Sequence, residues 1–170
     1  MRPEEAKTIA DFLLSTLEGE IPITISVFRA VPGDKLDYRP DNVSKTALGL
    51  LRHVTLEDEW LLNAVTDGRF SPVPDDSDAC RVMTPQGAIA QYRERIPAAI
   101  ARVRTLSAEA LIREVDLFGT IKMPAVSFLS LMVRHSVHHR GQLSAYLRAM
   151  GGKVPPIYGP SGDGPTMPSA

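Results

Sequence analysis

The chain has a single cysteine, Cys80, among 170 residues, so it cannot form an intramolecular disulfide. The acidic residues just before Cys80 also disfavour a reactive thiolate. The N-terminal sequence MRPEE lacks the apolar stretch of a signal peptide, and no apolar run approaches the roughly 20 residues that cross a bilayer. A formal charge of −1 leaves no basic excess to neutralise phosphates. We therefore expect a soluble, cytoplasmic protein that binds neither membranes nor nucleic acid.

Four segments show the three-and-four spacing of apolar residues that is typical of amphipathic helices. They run from about residue 3 to 29, 44 to 66, 85 to 106 and 124 to 149. Ser44 and Thr84 are suitable N-caps for the second and third segments. Pro22 either kinks the first helix or divides it in two, and Pro97 bends the third. Four helices of about 20 residues with short connections predict an all-α protein, a four-helix bundle.

The remaining segments are short or irregular. Ser107 caps a short turn of helix, and residues 114–123 resemble two brief extended runs around a turn, which predicts a short β-hairpin before the last helix. Residues 151–170 contain five glycines and five prolines. We expect one bundle domain over residues 1–150, and an irregular C-terminal tail over 151–170 that packs on it through Ile157 and Tyr158.

The histidines are the most informative residues. His135 and His139 are four residues apart, so on a helix they project from one face about a turn apart. That spacing lets two ring nitrogens reach one transition-metal ion. A helical wheel places both in the apolar stripe of the last helix, with His138 near its margin and Arg140 facing away. His53 occupies the apolar stripe of the second helix and is the candidate third ligand.

A single divalent ion would satisfy three inward-facing imidazoles by taking one ring nitrogen from each. Three neutral imidazoles also leave a coordination position for water or substrate, as in catalytic zinc sites. We expect zinc or nickel. Iron, manganese and copper are alternatives, because nitrogen ligands do not choose among these metals. The competing interpretation is that each histidine is an ordinary hydrogen-bonded core residue.

Four further side chains are candidates for the surroundings of the ion. Glu57, one turn after His53, is a fourth ligand, an acid/base or an acceptor that orients an imidazole; the alternative is a carboxylate at the rim paired with an arginine. Gln142 either fixes a histidine tautomer or bonds to the backbone. Trp60 and Tyr146 either line a pocket beside the ion or serve in packing.

The chain resembles the DinB/YfiT-like family of metal-dependent enzymes through residues 50–54 (LLRHV) and 135–143 (HSVHHRGQL). The similarity also takes in residues 31–40, 59–60, 146–148 and 154–159, and so spans most of the chain. The resemblance implies a four-helix bundle of unusual chain order, a metal site at His53, His135 and His139, and a homodimer. Some members of the family are transferases or isomerases that use a low-molecular-weight thiol such as bacillithiol or mycothiol.

Two functional hypotheses follow. In the first, the protein is a metal-dependent enzyme, either a hydrolase or a low-molecular-weight-thiol S-transferase, whose ion activates water or a thiol cosubstrate for attack on a small-molecule substrate. In the second, it is a non-catalytic metal-binding helical dimer that acts as a ligand- or partner-binding protein. The second is motivated by the absence of an unambiguous second catalytic group.

Overall fold

The computed structural model describes residues 1–76 and 82–164, so Cys80 lies outside the described residues. Within those residues the chain forms five helices and a two-stranded sheet, and none of the helices combines the length and the apolar character that a membrane span requires. The elements are α1 (Pro3–Ala30), α2 (Ala47–Asp67), α3 (Pro85–Arg104), α4 (Ala108–Ile112), β1 (Glu114–Leu117), β2 (Ile121–Pro124) and α5 (Ala125–Ala149).

The four long helices form the predicted bundle. α2 packs against α3 and α5, and α1 packs against the same two helices. Consecutive helices α1 and α2 therefore occupy opposite corners of the bundle, as do α3 and α5. The apolar faces of all four meet in one core, in which Leu14, Leu51, Ile96 and Leu129 are almost completely buried. This chain order makes α2 and α5 direct neighbours along their length.

The helix ends show where the expected caps were right and wrong. The hydroxyls of Thr84 and Ser107 accept hydrogen bonds from backbone amides three residues later, which confirms both as N-caps. Ser44 does not cap α2, because its hydroxyl and amide bond to Asp41. Thr46, two residues further on, caps α2 instead. Pro22 lies inside a continuous α1, so the expected alternative of two short helices is excluded.

The short hairpin before α5 is also confirmed. β1 and β2 are antiparallel, with Glu114 opposite Pro124 and Leu117 opposite Ile121. Phe118 and Gly119 occupy the turn with φ values of 49° and 77°. Consecutive positive φ values are typical of the tight turns that match the twist of a hairpin. The amide of Gly119 donates to Oδ1 of Asp116, which stabilises the turn.

Arg140 lies off the histidine stripe of α5, but it is not exposed to solvent. Only 1% of its surface is accessible, because its guanidinium packs against α1. It pairs with Glu20 at 2.5 Å and donates to Thr24 at 3.2 Å. The hydroxyl of Tyr158 in the C-terminal segment completes the cluster by bonding to Arg140 and, at 2.9 Å, to Glu20. The described part of the tail therefore contacts both α1 and α5, while the division of the chain at residue 150 stays a prediction.

The ion pair between buried Arg140 and the largely buried Glu20 predicts a strong effect of Arg140→Ala. Removing one partner of a buried ion pair leaves the other charge without compensation, and we expect the free energy of unfolding to fall by about 3 kcal/mol. Arg134→Ala is the matched control, since Arg134 on the same helix is exposed and, among the described residues, bonds to the Ser130 carbonyl alone; we expect a change within about 0.5 kcal/mol. Urea unfolding of both variants measures the difference, and equal losses would contradict the assignment.

Candidate metal centre

The three histidines selected from the sequence come together between α2 and α5. Nε2 of His53 lies 3.1 Å from Nε2 of His139 and 3.3 Å from Nε2 of His135. One nitrogen of each ring lies within 4.8 Å of the other two. The four-residue spacing on α5 aligns two of the rings, and the packing of α2 against α5 brings the third to them.

Two of the imidazoles are held through their outer nitrogens. Nδ1 of His135 lies 3.2 Å from Oδ1 of Asp58, and Nδ1 of His139 lies 2.6 Å from Oε1 of Gln142. Carboxylate and amide oxygens only accept hydrogen bonds, so each Nδ1 carries the hydrogen. In a neutral ring Nε2 then presents its lone pair, and both lone pairs are on the side of His53.

This donor set fits a divalent ion. Nitrogen lone pairs at 3.1–3.3 Å repel one another unless a proton or a cation lies between them. Four ligands at 2.0–2.1 Å in a tetrahedron are about 3.3–3.4 Å apart, close to the two distances from Nε2 of His53. Imidazole ligands suit zinc, nickel, iron and copper alike, so the ring nitrogens do not identify the metal.

Of the carboxylates in the described part of the chain, Glu57 contacts two of the three histidines. Its Oε2 lies 3.2 Å from Nε2 of His135, and its Oε1 lies 3.0 Å from Nδ1 of His53. That Nδ1 is buried and has no well-directed hydrogen bond within the described residues, although Oδ2 of Asp76 also lies 3.5 Å away. Glu57 thus contacts one ring from each helix, and one of its oxygens is beside the point on which the Nε2 atoms converge.

The charges at the site follow from these contacts. Burial alone would lower the pKa of His135, but the carboxylates of Asp58 and Glu57 outweigh burial and raise it to about 9. Burial would raise the pKa of Glu57, yet the adjacent His135 and His53 lower it to about 2. Burial, together with the charges of the other histidines, lowers the pKa of His139 to about 4, although Gln142 acts in the opposite direction. Without a metal, a protonated His135 therefore faces an ionised Glu57 at neutral pH.

Trp60 and Tyr146 make packing contacts. The Trp60 ring lies 4.6 Å from that of Phe70, and its Nε1 donates to the Ser71 carbonyl. The Tyr146 ring packs edge-on against Tyr38, and its hydroxyl donates to a backbone carbonyl. Each lies seven residues along its helix from a site histidine, a distance of about 10 Å along the axis. Their role in lining a pocket beside the ion stays a prediction.

Sequence reasoning missed Asp58 and Tyr92. Asp58 is completely buried, and its Oδ2 accepts a hydrogen bond of 2.8 Å from the Tyr92 hydroxyl. A signal for this pair was present in the sequence, because Tyr92 lies three residues after Ile89 and four before Ile96, in the apolar spacing of the third helix. A buried phenol needs a hydrogen-bond partner, and a carboxylate on a neighbouring helix supplies one.

Comparison with known sequences identifies one family. The sequence model of the DinB family matches residues 8–167. The uncharacterised protein YjoA of Bacillus subtilis is 29% identical over 140 residues, which cover 80% of this chain and 87% of YjoA. The uncharacterised protein YrdA of the same organism is 27% identical over 152 residues, or 89% of each chain. The family match begins within α1 and extends beyond α5, so it covers the positions of all three histidines.

Comparison with solved structures finds the same fold. The crystal structure of the DinB-like protein YjoA superposes with a TM-score of 0.68 at 25% identity, covering 86% of this chain and 96% of YjoA. YfiT of Bacillus subtilis, described as a probable metal-dependent hydrolase with an unusual four-helix bundle topology, superposes with a TM-score of 0.67 at 21% identity, covering 84% and 87%. A mutant of mycothiol-dependent maleylpyruvate isomerase gives a TM-score of 0.53 at 16% identity, covering 84% and 61%. The last two likenesses concern the fold alone.

The raised pKa of His135 predicts a pH-dependent stability of the metal-free protein. A histidine whose pKa rises from 6.5 to about 9 on folding stabilises the fold fully below pH 6.5, and the contribution is lost as the pH rises through 9. We expect His135→Gln to cost on the order of 3 kcal/mol at pH 6 and much less at pH 10, measured by urea unfolding in chelator. NMR titration should place His135 near 9 and His139 near 4; two pKa values close to 6.5 would contradict this electrostatic description.

Proposed function

The chain belongs to the DinB family, and from that premise we propose that it is a metal-dependent enzyme in which His53, His135 and His139 hold one divalent ion. The observation that carries the proposal is that Nε2 of His53 lies 3.1 Å from Nε2 of His139 and 3.3 Å from Nε2 of His135. Acceptors on two of the Nδ1 atoms leave those lone pairs directed inward. The shared fold of YfiT, a probable metal-dependent hydrolase, supports the same interpretation.

The proposed chemistry divides between the ion and Glu57. A divalent ion held by three imidazoles supplies Lewis-acid activation of water, of a thiol or of a substrate oxygen. Oε2 of Glu57 lies 3.2 Å from Nε2 of His135, so this carboxylate is placed to accept a proton released beside the histidines. Gln142 holds the ring of His139 in the orientation that keeps Nε2 free.

Hydrolysis is the reaction that this arrangement supports best, because attack by water requires a proton acceptor and Glu57 is in place. S-transfer from a low-molecular-weight thiol is the second candidate. It is supported by the fold that the chain shares with a mycothiol-dependent isomerase, in which a thiol takes part in the reaction. A small-molecule substrate, a cytoplasmic location and a homodimer belong to the same proposal, and light scattering of the purified protein tests the last.

Metal content is expected to depend on three histidines and not on the fourth. His53→Ala, His135→Ala and His139→Ala each remove one ligand, so protein purified without a tag or added metal should retain much less than the wild-type content. His138→Ala is the matched control, because His138 is exposed and lies beside His139 without belonging to the group. Elemental analysis measures the content, and unchanged stoichiometry in the three ligand variants would refute the metal site.

Turnover should require both the ion and Glu57. A metal-loaded preparation is incubated with a panel of esters and amides, and separately with biological thiols and electrophiles. We expect chelator to abolish turnover and Glu57→Gln to lower kcat by about 100-fold or more while the bound metal stays near wild type. Turnover that survives chelator would contradict metal dependence. A fully loaded protein in which water and thiols cannot reach the metal would instead favour the non-catalytic metal-binding dimer.

A further inference from the structure

The three site histidines are supported unequally. Gln142, the partner of His139, is an exposed neutral residue on the same helix. Glu57, beside His53, is a partly exposed residue on that histidine's own helix. His135 alone among the three has its Nδ1 tied to a fully buried charge on a different helix, the carboxylate of Asp58 on α2.

Asp58 is itself held from a third helix. Its Oδ1 faces Nδ1 of His135 at 3.2 Å, while its Oδ2 accepts the Tyr92 hydroxyl of α3 at 2.8 Å. Both Asp58 and Tyr92 are buried, with 0% and 2% of their surface exposed. A buried carboxylate is tolerated only when hydrogen-bond donors compensate it, and here each oxygen has one donor. The two donors come from different directions and together fix the carboxylate plane.

We propose that Asp58 and Tyr92 are positioning residues of the metal centre, an inference that rests on the function proposed above. The Asp58 carboxylate keeps the hydrogen of His135 on Nδ1 and leaves Nε2 free for the ion. The Tyr92 hydroxyl holds that carboxylate in its orientation. Through this pair α3, which supplies none of the three histidines, takes part in aligning a ligand between α2 and α5.

The unequal support has a measurable consequence. Residues that hydrogen-bond to a ligating histidine typically change metal affinity by about 10–100-fold when they are substituted. The loss of metal affinity should be larger on substitution of Asp58, which is buried, charged and bonded to α3. It should be smaller for Gln142, because water competes for the hydrogen bond of its exposed amide. His135 is then the fixed ligand of the centre, and His139 is the adjustable one.

The test measures zinc affinity of the stripped full-length protein by competition with a chromophoric chelator, and the visible spectrum of the cobalt-substituted protein. We expect the Kd to rise about 10–100-fold in Asp58→Asn, roughly tenfold in Tyr92→Phe, and less than that in Gln142→Ala. Changes in the cobalt bands should accompany the first two. Tyr38→Phe is the matched control, since it also deletes a phenol hydroxyl, from a ring that packs against Tyr146; its Kd and spectrum should equal those of the wild type.

The outcomes separate this inference from the function on which it rests. Wild-type Kd and cobalt spectra in both Asp58→Asn and Tyr92→Phe, together with loss of metal in the histidine variants, would overturn the positioning role and leave the metal centre standing. A wild-type protein that binds neither zinc nor cobalt would overturn both. Tyr92→Phe keeps the aromatic ring in the core and should fold. If Asp58→Asn does not fold, the affinity and spectrum of Tyr92→Phe alone decide the question. A loss of stability with no change in affinity or spectrum indicates a purely structural role and also overturns the proposal.

Discussion

The contact between α2 and α5 is the constraint on which the site depends. One histidine stands on the first of these helices and two on the other, and the rings meet only because the two helices are neighbours for most of their length. Imidazole side chains are too short to bridge opposite corners of a bundle. The chain order that places α1 diagonally from α2 therefore has a direct chemical consequence, since it frees the inner face of α2 to meet the last helix.

Buried charges on two sides hold α5 in its rotation about its own axis. On one side of the helix, Arg140 pairs with Glu20 and donates to Thr24 of α1. On another side, His135 bonds to Asp58 of α2. Both contacts lie within two turns of the helix. Apolar packing alone tolerates small rotations, whereas a directed hydrogen bond to a buried carboxylate does not. The polar contacts thus give the histidines an alignment that the surrounding leucines and valines could not supply.

The predictability of each feature depended on how local its cause was. The long helices and the inward direction of the three histidines followed from apolar spacing, which reports the buried face directly. The cap of α2 was assigned two residues too early because Ser44 and Thr46 are both capable, and only the contact of Ser44 with Asp41 decides between them. The burial of Asp58 and Arg140 was not predicted, because their partners Tyr92 and Glu20 lie 34 and 120 residues away in the sequence. From the sequence alone, a charged residue whose partner is so distant cannot be told from an exposed one.

The separation of the three histidines along the chain also determines the order in which they are made. His53 precedes His135 by 82 residues. At about 5–20 residues per second, a ribosome makes His135 ~4–16 s after His53. A nascent chain that has not yet reached α5 offers only one imidazole from this group, too few to capture an ion firmly. Under the proposed function, firm metal binding therefore requires that α5 has been made, and the earlier helices pack on their apolar faces without an ion.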